Sequence, residues 1–561
     1  MNNANNQTDT MDRFWLKSYP EGVNADIEFG EQNSITDFLL TACELTPDHP
    51  AFTNFGTTLS FAQTNALSLQ FAAFLQNDLQ LKKGDRLAIM LPNILQYPIV
   101  LFAALRLGIT VVNVDPMYTS RELIHQLNNS GASTLIFLEH FAKTVEASLP
   151  ETQVKHVIST TVGEMLTFPQ SQVIDFVIKY VKRDIPKYHI KGCIKFDKAL
   201  KLGQQSNCEE AKLSLDDIAF LQYTGGTTGV SKGAILSHRN IVANVLQATQ
   251  WLSGNLARGK EKAITALPIY HIFSMTANVL FMMSLSNENI LITNPRDFKA
   301  FVKLLKKTEF STFIGVNTLF RKLLNTEGFK DVDFSKLKLT LAGGMSVTDD
   351  VAKDWQAATH SVVVEAYGLT ETSPAVCINP LNIKEFKGEI GLPIPSTYVQ
   401  IKDEDGNDLG INQQGELCVK GPQVTQGYWQ RPDVNDYAFT QDGYFKTGDF
   451  ATINKEGYVK ILDRKKDMIL VSGFNVFPNE IENIVSKHPK ILEAAAIGIP
   501  DDSSGEVVKL FVAKSDPSLS RAEVDDFCRE NLTAYKCPKE IIFVEELPKS
   551  NVGKILRKDL R

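Results

Sequence analysis

The chain is poor in cysteine, with seven in 561 residues, at positions 43, 193, 208, 377, 418, 528 and 537. The count is odd and no C-x-x-C occurs, which fits reduced thiols in a cytosol rather than a disulfide framework. No basic block offsets the formal charge of −7, which argues against a nucleic-acid partner. Residues 1–10 are polar and Asn-rich, with no basic start and no apolar h-region, so they do not read as a secretory signal. Long hydrophobic runs are also missing. The best membrane-spanning candidate, residues 97–114, contains Arg106 and Gly108. It parses better as a helix over 97–107 turning into a strand over 109–114, too short for about 30 Å of hydrocarbon. There is no internal repeat.

What is present is the apolar and charged composition of an ordinary soluble globular protein. At roughly 100–200 residues per domain, the length requires more than one core. Strand–helix–strand alternation begins at residues 87–90 and 109–112, the pattern of a parallel sheet. Similar strands follow at 133–138, 154–159, 262–267, 290–293, 312–315 and 337–342. Gly- and Asp-rich turns crowd residues 388–457 and suggest an antiparallel or barrel-like region. Five charges, Asp463-Arg464-Lys465-Lys466-Asp467, then separate two apolar segments as an exposed hinge would. Beyond them the order is helix (479–486), strand (491–499), strand (507–513), helix (520–532), strand (540–544). The expected fold class is therefore α/β. A large body of parallel-sheet layers with a small distorted barrel region (1–463) would precede a smaller, mobile α+β domain (464–561).

Residues 171–187 carry Val173, Ile174, Phe176, Val177, Ile178, Tyr180 and Val181 beside Lys179, Lys182, Arg183 and Lys187. A basic amphipathic helix of this kind can lie on an anionic membrane. A surface helix packed on the core is the alternative.

The most informative stretch is Tyr223-Thr224-Gly225-Gly226-Thr227-Thr228-Gly229-Val230-Ser231-Lys232-Gly233. It follows an apolar run, 218–223, that reads as a buried strand. Its glycines allow backbone conformations that a Cβ forbids. Its hydroxyls, lysine and main-chain N–H groups are what a loop needs to wrap a triphosphate. It is not a P-loop, because Gly233 follows Lys232 where a Ser or Thr would be required. A second short strand (234–236) and a helix starting near Ser237 follow.

Further motifs join it: Leu267-Pro268-Ile269-Tyr270-His271, Leu341-Ala342-Gly343-Gly344-Met345, and Glu365-Ala366-Tyr367-Gly368-Leu369-Thr370-Glu371. Tyr444-Phe445-Lys446-Thr447-Gly448-Asp449, Ser472-Gly473-Phe474-Asn475-Val476-Phe477-Pro478 and Pro548-Lys549-Ser550-Asn551-Val552-Gly553-Lys554 complete the set. Singly, most are weak: His271 alone would more often be a satisfied buried histidine, and Lys554 alone a solvated charge. In this order and spacing they resemble the acyl- and aryl-adenylate-forming superfamily, from about Phe38 to the last residue. Within it the chain is most similar to the bacterial long-chain-fatty-acid–CoA ligases, on residues 223–234, 463–475 and 548–554.

The resemblance implies two half-reactions: a fatty carboxylate and Mg-ATP give acyl-AMP and pyrophosphate, and coenzyme A then takes the acyl group. It implies that residues 224–232, with Thr224, Gly225, Gly226, Thr227, Thr228 and Lys232, hold the β- and γ-phosphates. Glu371, with Thr224, would ligate Mg²⁺. Tyr367 would stack on adenine in a slot lined by Gly344, Met345 and Ala366, with Gly368 and Thr370 in the same nucleotide motif. Asp449 and Arg464 would bind the ribose. Lys554 would reach the substrate carboxylate and α-phosphate, and His271 would sit beside them. Lys554, Glu371, His271 and Thr227 form the expected catalytic set. Lys466 matches the hinge pivot, and Ser472, Gly473 and Phe474 the loop beside the thiol tunnel. Phe273, Met275 and Gly315 are the expected acyl-pocket residues.

Two positions depart from the family pattern. Many members carry aspartate where Lys466 stands, and some long-chain members place a tryptophan gate where Met275 stands. Acyl chain length rests on the resemblance, since the apolar residues after His271 would serve equally as core. Two rival readings are an acyl-AMP ligase that loads a carrier protein and a non-catalytic fatty-acid uptake factor. No insertion separates Lys466 from Ser472, which favours coenzyme A over the first. The intact Lys554, Glu371, Asp449 and phosphate loop oppose the second. A cytoplasmic protein, with peripheral contact with the inner membrane and a homodimer both compatible, completes the expectation.

Overall fold

The computed structural model describes residues 13–224, 231–501, 503–551 and 553–561, and every count below refers to them. A seven-stranded sheet runs in the order Ile194–Lys195, His156–Thr160, Thr134–Leu138, Arg86–Met90, Thr110–Asn113, Ile218–Thr224, Lys232–Ser237. Its neighbours pair in parallel except the last two strands, which form an antiparallel hairpin. Strands Thr110–Asn113 and Thr134–Leu138 are buried at every position, and Arg86–Met90 at all but its first, as sheets covered on both faces require. The helix Gln96–Arg106 is likewise buried throughout. Arg106 is tolerated there because its guanidinium donates to Asn65, Ser68 and Glu210. A buried cation without such partners would be strongly destabilising. Residues 97–107 are thus a core helix, and no helix among the described residues is long and apolar enough to cross a membrane.

A nine-stranded sheet carries the second half of the large body. Its order is Leu392–Pro393, Ala375–Ile378, Val363–Gly368, Leu339–Ala342, Thr312–Gly315, Lys262–Thr265, Glu288–Leu291, Pro50–Asn54, Thr57–Ser60. The middle of this sheet is parallel, so the C-terminal ends of Lys262–Thr265, Thr312–Gly315, Leu339–Ala342 and Val363–Gly368 open side by side. Such edges are where open α/β sheets bind ligands. Helix His238–Leu252 starts where the sequence places it, because Ser237 and Asn240 form a reciprocal capping box.

Residues 398–464 form a four-stranded antiparallel sheet, Tyr398–Lys402, Gly415–Lys420, Phe445–Ile453 and Val459–Arg464. No pairing joins its edge strands among the described residues, so the barrel-like expectation resolves to an open sheet. The last part is an α+β unit with its own core. Strands Ile491–Asp501, Gly505–Lys514 and Glu540–Val544 are covered by helices Pro478–Val485 and Arg521–Asn531 through Ile481, Val485, Val524 and Cys528. A short hairpin, Ile469–Val471 with Phe474–Val476, adds an element the sequence did not announce. Its turn needs positive φ at Ser472 (49°) and Gly473 (84°). Residues 170–182 are helical, so the helix expected over 171–187 stops five residues early, where Arg183 turns into the left-handed region (φ 56°). Ile174 and Ile178 pack on the core, while Val173, Phe176, Tyr180 and Val181 are exposed.

Candidate active site

The cleft begins where strand Lys262–Thr265 ends. The chain turns at Leu267 and Pro268 and reaches His271, which caps the next helical turn by accepting the Phe273 N–H at Nδ1, 3.3 Å away. That bond places the proton of the neutral ring on Nε2. Burial, and then the nearby charge of Lys554, push His271 down to about 3, so it is neutral at physiological pH. Leu267, Pro268, His271, Phe273, Val316, Gly344 and Lys554 line one cavity of about 270 Å³, its open side included. Phe273 also lines a second, apolar cavity of about 330 Å³, its open side included, with Ala248, Leu252, Phe281, Leu341 and Ala366. The Phe273 ring lies over the Gly343-Gly344 turn, where a Cβ on Gly343 would sit 2.9 Å from it.

The adjacent strand, Val363–Gly368, supplies Tyr367. Its hydroxyl donates to Asp449 Oδ2 in a short hydrogen bond. Asp449 is buried, and its other oxygen pairs with Arg464 Nε at 2.8 Å. The pairing follows from sheet register, since Asp449 and Arg464 face each other on adjacent antiparallel strands. A Tyr–Asp–Arg set is thereby fixed at the edge of the cleft. Gly368 is required by packing: a Cβ there would meet the Pro374 carbonyl at 1.8 Å. The turn Thr370–Thr372 then presents Glu371, which is buried and accepts a 2.7 Å hydrogen bond from Tyr428 Oη.

Lys554 arrives from the small domain on a hairpin tied by Ser550 N–H to Lys554 O (2.8 Å) and Lys554 N–H to Ser550 Oγ (3.1 Å). Gly553 lets this hairpin press on the large body, because a Cβ would come 2.4 Å from Thr318 Oγ1. Asn551 secures it, donating to Asp115 Oδ2 (2.7 Å) and accepting from Arg296 (3.1 Å). Asp115 also accepts from Tyr270 Oη at 3.1 Å. Burial, followed by the Arg464 charge, lowers Lys554 to about 8, while Asp449 and Glu371 oppose the drop. One buried cation therefore faces His271, Gly344, Arg464 and two carboxylates.

The hydroxyl-rich loop joins the two strands of a hairpin, with Thr224 paired to Lys232 and Tyr223 to Gly233. Gly225, Gly226, Thr227 and Thr228 lie outside the described residues. The loop's described ends converge on the Glu371 turn: Lys232 Nζ lies 4.7 Å from the centroid of the Tyr428 ring that binds Glu371.

The AMP-binding enzyme family matches residues 39–429, and the AMP-binding enzyme C-terminal domain matches residues 480–554. The chain belongs to the AMP-binding enzyme family. Among its curated relatives, the long-chain-fatty-acid–CoA ligase of Escherichia coli O6:H1 is 50% identical over 98% of both chains. The Haemophilus influenzae ligase of that name is 48% identical over the same share, and that of Bacillus subtilis 35% over 97% of both. Solved structures of similar fold include ATP-bound MatB from Rhodopseudomonas palustris, at 26% identity and TM-score 0.80, covering 94% of this chain and 98% of that one. The anthranilate–CoA ligase AuaEII with anthranoyl-AMP shares the fold at 21% identity and TM-score 0.83, over 95% and 98%.

In this AMP-binding enzyme the structure brings together His271, Phe273, Gly344, Tyr367, Asp449, Arg464, Glu371 and Lys554 around one cleft. Met345 and Ala366 pack in the same core beside Tyr367. Two expected acyl-pocket residues line neither of these two cavities. Met275 is fully buried against Asn113, whose Nδ2 is 3.8 Å from its sulfur, and lines neither cavity. Gly315 accommodates the Phe320 ring, which a Cβ would meet at 2.6 Å. Ser472, Gly473 and Phe474 form the hairpin tip of the small domain, where Phe474 stacks on Tyr535 with centroids 4.8 Å apart. They line neither cavity in this arrangement. Lys466 is half-buried beside Asp467 and Arg464, and burial lowers it from the ordinary lysine range.

Sequence reasoning gave no role to Glu365, Tyr428 or Asp115. Glu365 sits fully buried one residue before Ala366, with its carboxyl pushed up to about 8 by burial. Its Oε1 accepts the Val347 N–H at 3.2 Å, and its Oε2 has no hydrogen-bond partner among the described residues. Its place in the quoted motif, two residues before Tyr367, was the available signal.

Proposed function

We propose that this chain is an ATP-dependent long-chain-fatty-acid–CoA ligase. The fatty carboxylate oxygen attacks the α-phosphorus of ATP, the bond to the bridging oxygen breaks, and pyrophosphate leaves. The thiolate sulfur of coenzyme A then attacks the acyl carbonyl of the adenylate, and AMP leaves with its phosphate intact. The observation that carries this reading is Lys554, held on a small-domain hairpin in the cleft beside His271 and Gly344. An ammonium at that point stabilises charge as it develops between the carboxylate and the α-phosphate. Its lowered affinity for the proton leaves it still mostly charged near pH 7.

The remaining roles are those the family resemblance implies. Thr224, Lys232 and the loop between them bind the β- and γ-phosphates. Asp449, held by Tyr367 and Arg464, accepts from the ribose hydroxyls, and Tyr367 stacks on the base. Gly344, Met345, Ala366, Gly368 and Thr370 line the nucleotide slot. Neutral His271 donates from Nε2 toward the carboxylate. Glu371 and the Thr224 hydroxyl fit Mg²⁺, a hard cation that takes one or two protein ligands beside phosphate and water. The turn bearing Glu371 packs on strand Ile218–Thr224, which ends in that hydroxyl. Bound Mg²⁺ would neutralise phosphate charge. The second cavity, apolar and reached past Phe273, takes the acyl chain.

The boundary falls at 463/464, and the small domain swings about Lys466 between half-reactions, withdrawing Lys554 and bringing residues 472–474 to the thiol path. Gating of this kind is a general use of hinged domains. The chain works free in the cytoplasm or in peripheral contact with the inner membrane. The test is thioester formation with Mg-ATP and coenzyme A across acids from acetate to oleate. Turnover rising to a maximum at long chains supports the reading. Pyrophosphate without thioester selects a carrier-protein ligase, and fatty-acid binding with no pyrophosphate selects the uptake factor.

A further inference from the structure

Five of the fifteen exposed large apolar side chains among the described residues fall within residues 168–181. They are Phe168 (76% exposed), Val173 (55%), Phe176 (58%), Tyr180 (60%) and Val181 (65%). Surface hydrophobics scattered singly need no explanation, but a contiguous cluster marks an interaction surface. The helical stretch that bears most of them is held from below by Ile174 and Ile178, which pack on the core. Its one acidic member, Asp175, is turned inward to accept from Gly163 N–H (2.9 Å) and Thr161 Oγ1 (2.8 Å). The Phe176 and Tyr180 rings lie against each other, centroids 5.2 Å apart.

A second segment joins the same face. The turn at Phe55 and Gly56, with Phe55 also exposed, abuts the start of this helix. Thr57 and Thr167 share a 3.1 Å hydrogen bond, Thr167 N–H donates to Thr57 Oγ1 at 2.9 Å, and Gln170 lies over Gly56. The apolar residues are therefore set on an anchored platform.

The charges choose the occupant. Between residues 177 and 191, Lys179, Lys182, Arg183, Lys187 and Lys191 are all exposed, against one carboxylate, Asp184. This concentration of positive charge stands in a chain of net charge −7. Apolar side chains beside a cluster of cations match a bilayer whose headgroups are anionic and whose interior takes the aromatic and aliphatic tips. A protein partner would need no such local inversion of charge.

We propose that residues 168–187, with Phe55, form the surface by which this enzyme docks on an anionic phospholipid bilayer. The proposal deepens the peripheral-contact reading above, and it rests on the ligase reading only for its purpose. Binding is measured without turnover, so its failure leaves the ligase assignment untouched.

The test is co-sedimentation of the full chain with phosphatidylethanolamine vesicles containing phosphatidylglycerol, and with phosphatidylcholine vesicles. Binding to the first should exceed binding to the second. It should weaken as salt shortens the screening length from ~8 Å toward ~3 Å. A triple variant, Lys179→Glu, Lys182→Glu and Arg183→Glu, should lose about a hundredfold or more in vesicle affinity, at about fivefold per cation removed from the surface. A second variant, Phe176→Ser with Val181→Ser, should also release the protein. The charge variant replaces only exposed side chains, of which Lys179 lies over the exposed Tyr180 ring, so it remains readable if the serine variant melts early. Both should keep wild-type thioester formation with a short water-soluble acid. Absent vesicle binding, or binding indifferent to lipid charge and to both variants, overturns the proposal. So does a concentration-dependent dimer broken by Phe176→Ser in a protein that ignores vesicles, which would make a second copy the occupant.

Discussion

Replacing Lys554 by alanine should separate the two half-reactions. The ammonium sits on a hairpin pinned by Asn551 to Asp115 and reaches the cavity that His271 and Gly344 line. It acts where charge develops at the α-phosphate, and removing one such preorganised donor costs about 10²–10³ in rate, or about 2.7–4 kcal/mol. Adenylate formation, read as fatty-acid-dependent exchange of labelled pyrophosphate into ATP, should fall by that factor. Thioester formation from synthetic acyl-AMP and coenzyme A should stay within about threefold of wild type, because that step needs the lysine withdrawn. The proton adds a second signature. Burial and Arg464 bring Lys554 down to about 8, and only its charged form serves adenylation. Wild-type exchange should therefore decline as pH rises through about 8, and Lys554→Arg, which keeps its charge, should lose that limb whatever its absolute rate. Stability moves the other way. The folded state disfavours the ammonium that the unfolded chain holds up to 10.5. That penalty is fully present below about 8 and gone above 10.5, so Lys554→Met should melt higher than wild type at pH 7 and no higher at pH 11. Equal loss in both half-reactions, or full exchange activity without the lysine, would refute the argument.

The acyl path gives a paired prediction. Ala248→Trp should fill the second cavity and lower kcat/KM for oleate at least tenfold more than for a short acid, whereas Met275→Ala, away from both cavities, should leave chain-length preference unchanged. Glu365 carries a carboxyl raised to about 8 against an unfolded value near 4.5. Its contribution is present below the unfolded value and lost as pH rises through about 8, so Glu365→Gln should gain Tm over wild type progressively between pH 5 and 9 in a thermal melt series. Arg557, three residues past Lys554, pairs with Asp463 (3.2 Å) before the hinge and with Glu482 (2.8 Å) after it. Arg557→Ala strands the fully buried Asp463 and should cost about 3 kcal/mol or more in denaturant unfolding of the small domain.

Much of this was legible in the chain because the motifs lie where the backbone has few options. Apolar runs such as Thr134–Leu138 are buried at every position and read as interior parallel strands. Gly343 and Gly368 mark close approaches of a ring and a carbonyl. Other parts were hidden for stated reasons. The hairpin around Ser472-Gly473 has three-residue strands, half exposed, and carries almost no periodic signal. Turns rich in Gly and Asp announce antiparallel strands over 398–464 but not whether the sheet closes. Which side chain after His271 faces the cleft depends on the wide helical turn over Met275–Leu280, which shifts the register from the regular 3.6 period. Phe273 therefore stands between the cavities, and Met275 points into the core. Glu365 was quoted within a motif, yet its raised pKa arises from tertiary burial that no local pattern encodes.

The most direct test of the central claim follows one oxygen atom. Oleate labelled with ¹⁸O in both carboxylate positions is incubated with the enzyme, Mg-ATP and coenzyme A, and the products are weighed by mass spectrometry. Attack at the α-phosphorus predicts one ¹⁸O in each AMP formed and none in pyrophosphate. Label in pyrophosphate or in inorganic phosphate, or thioester formed with unlabelled AMP, would contradict the account.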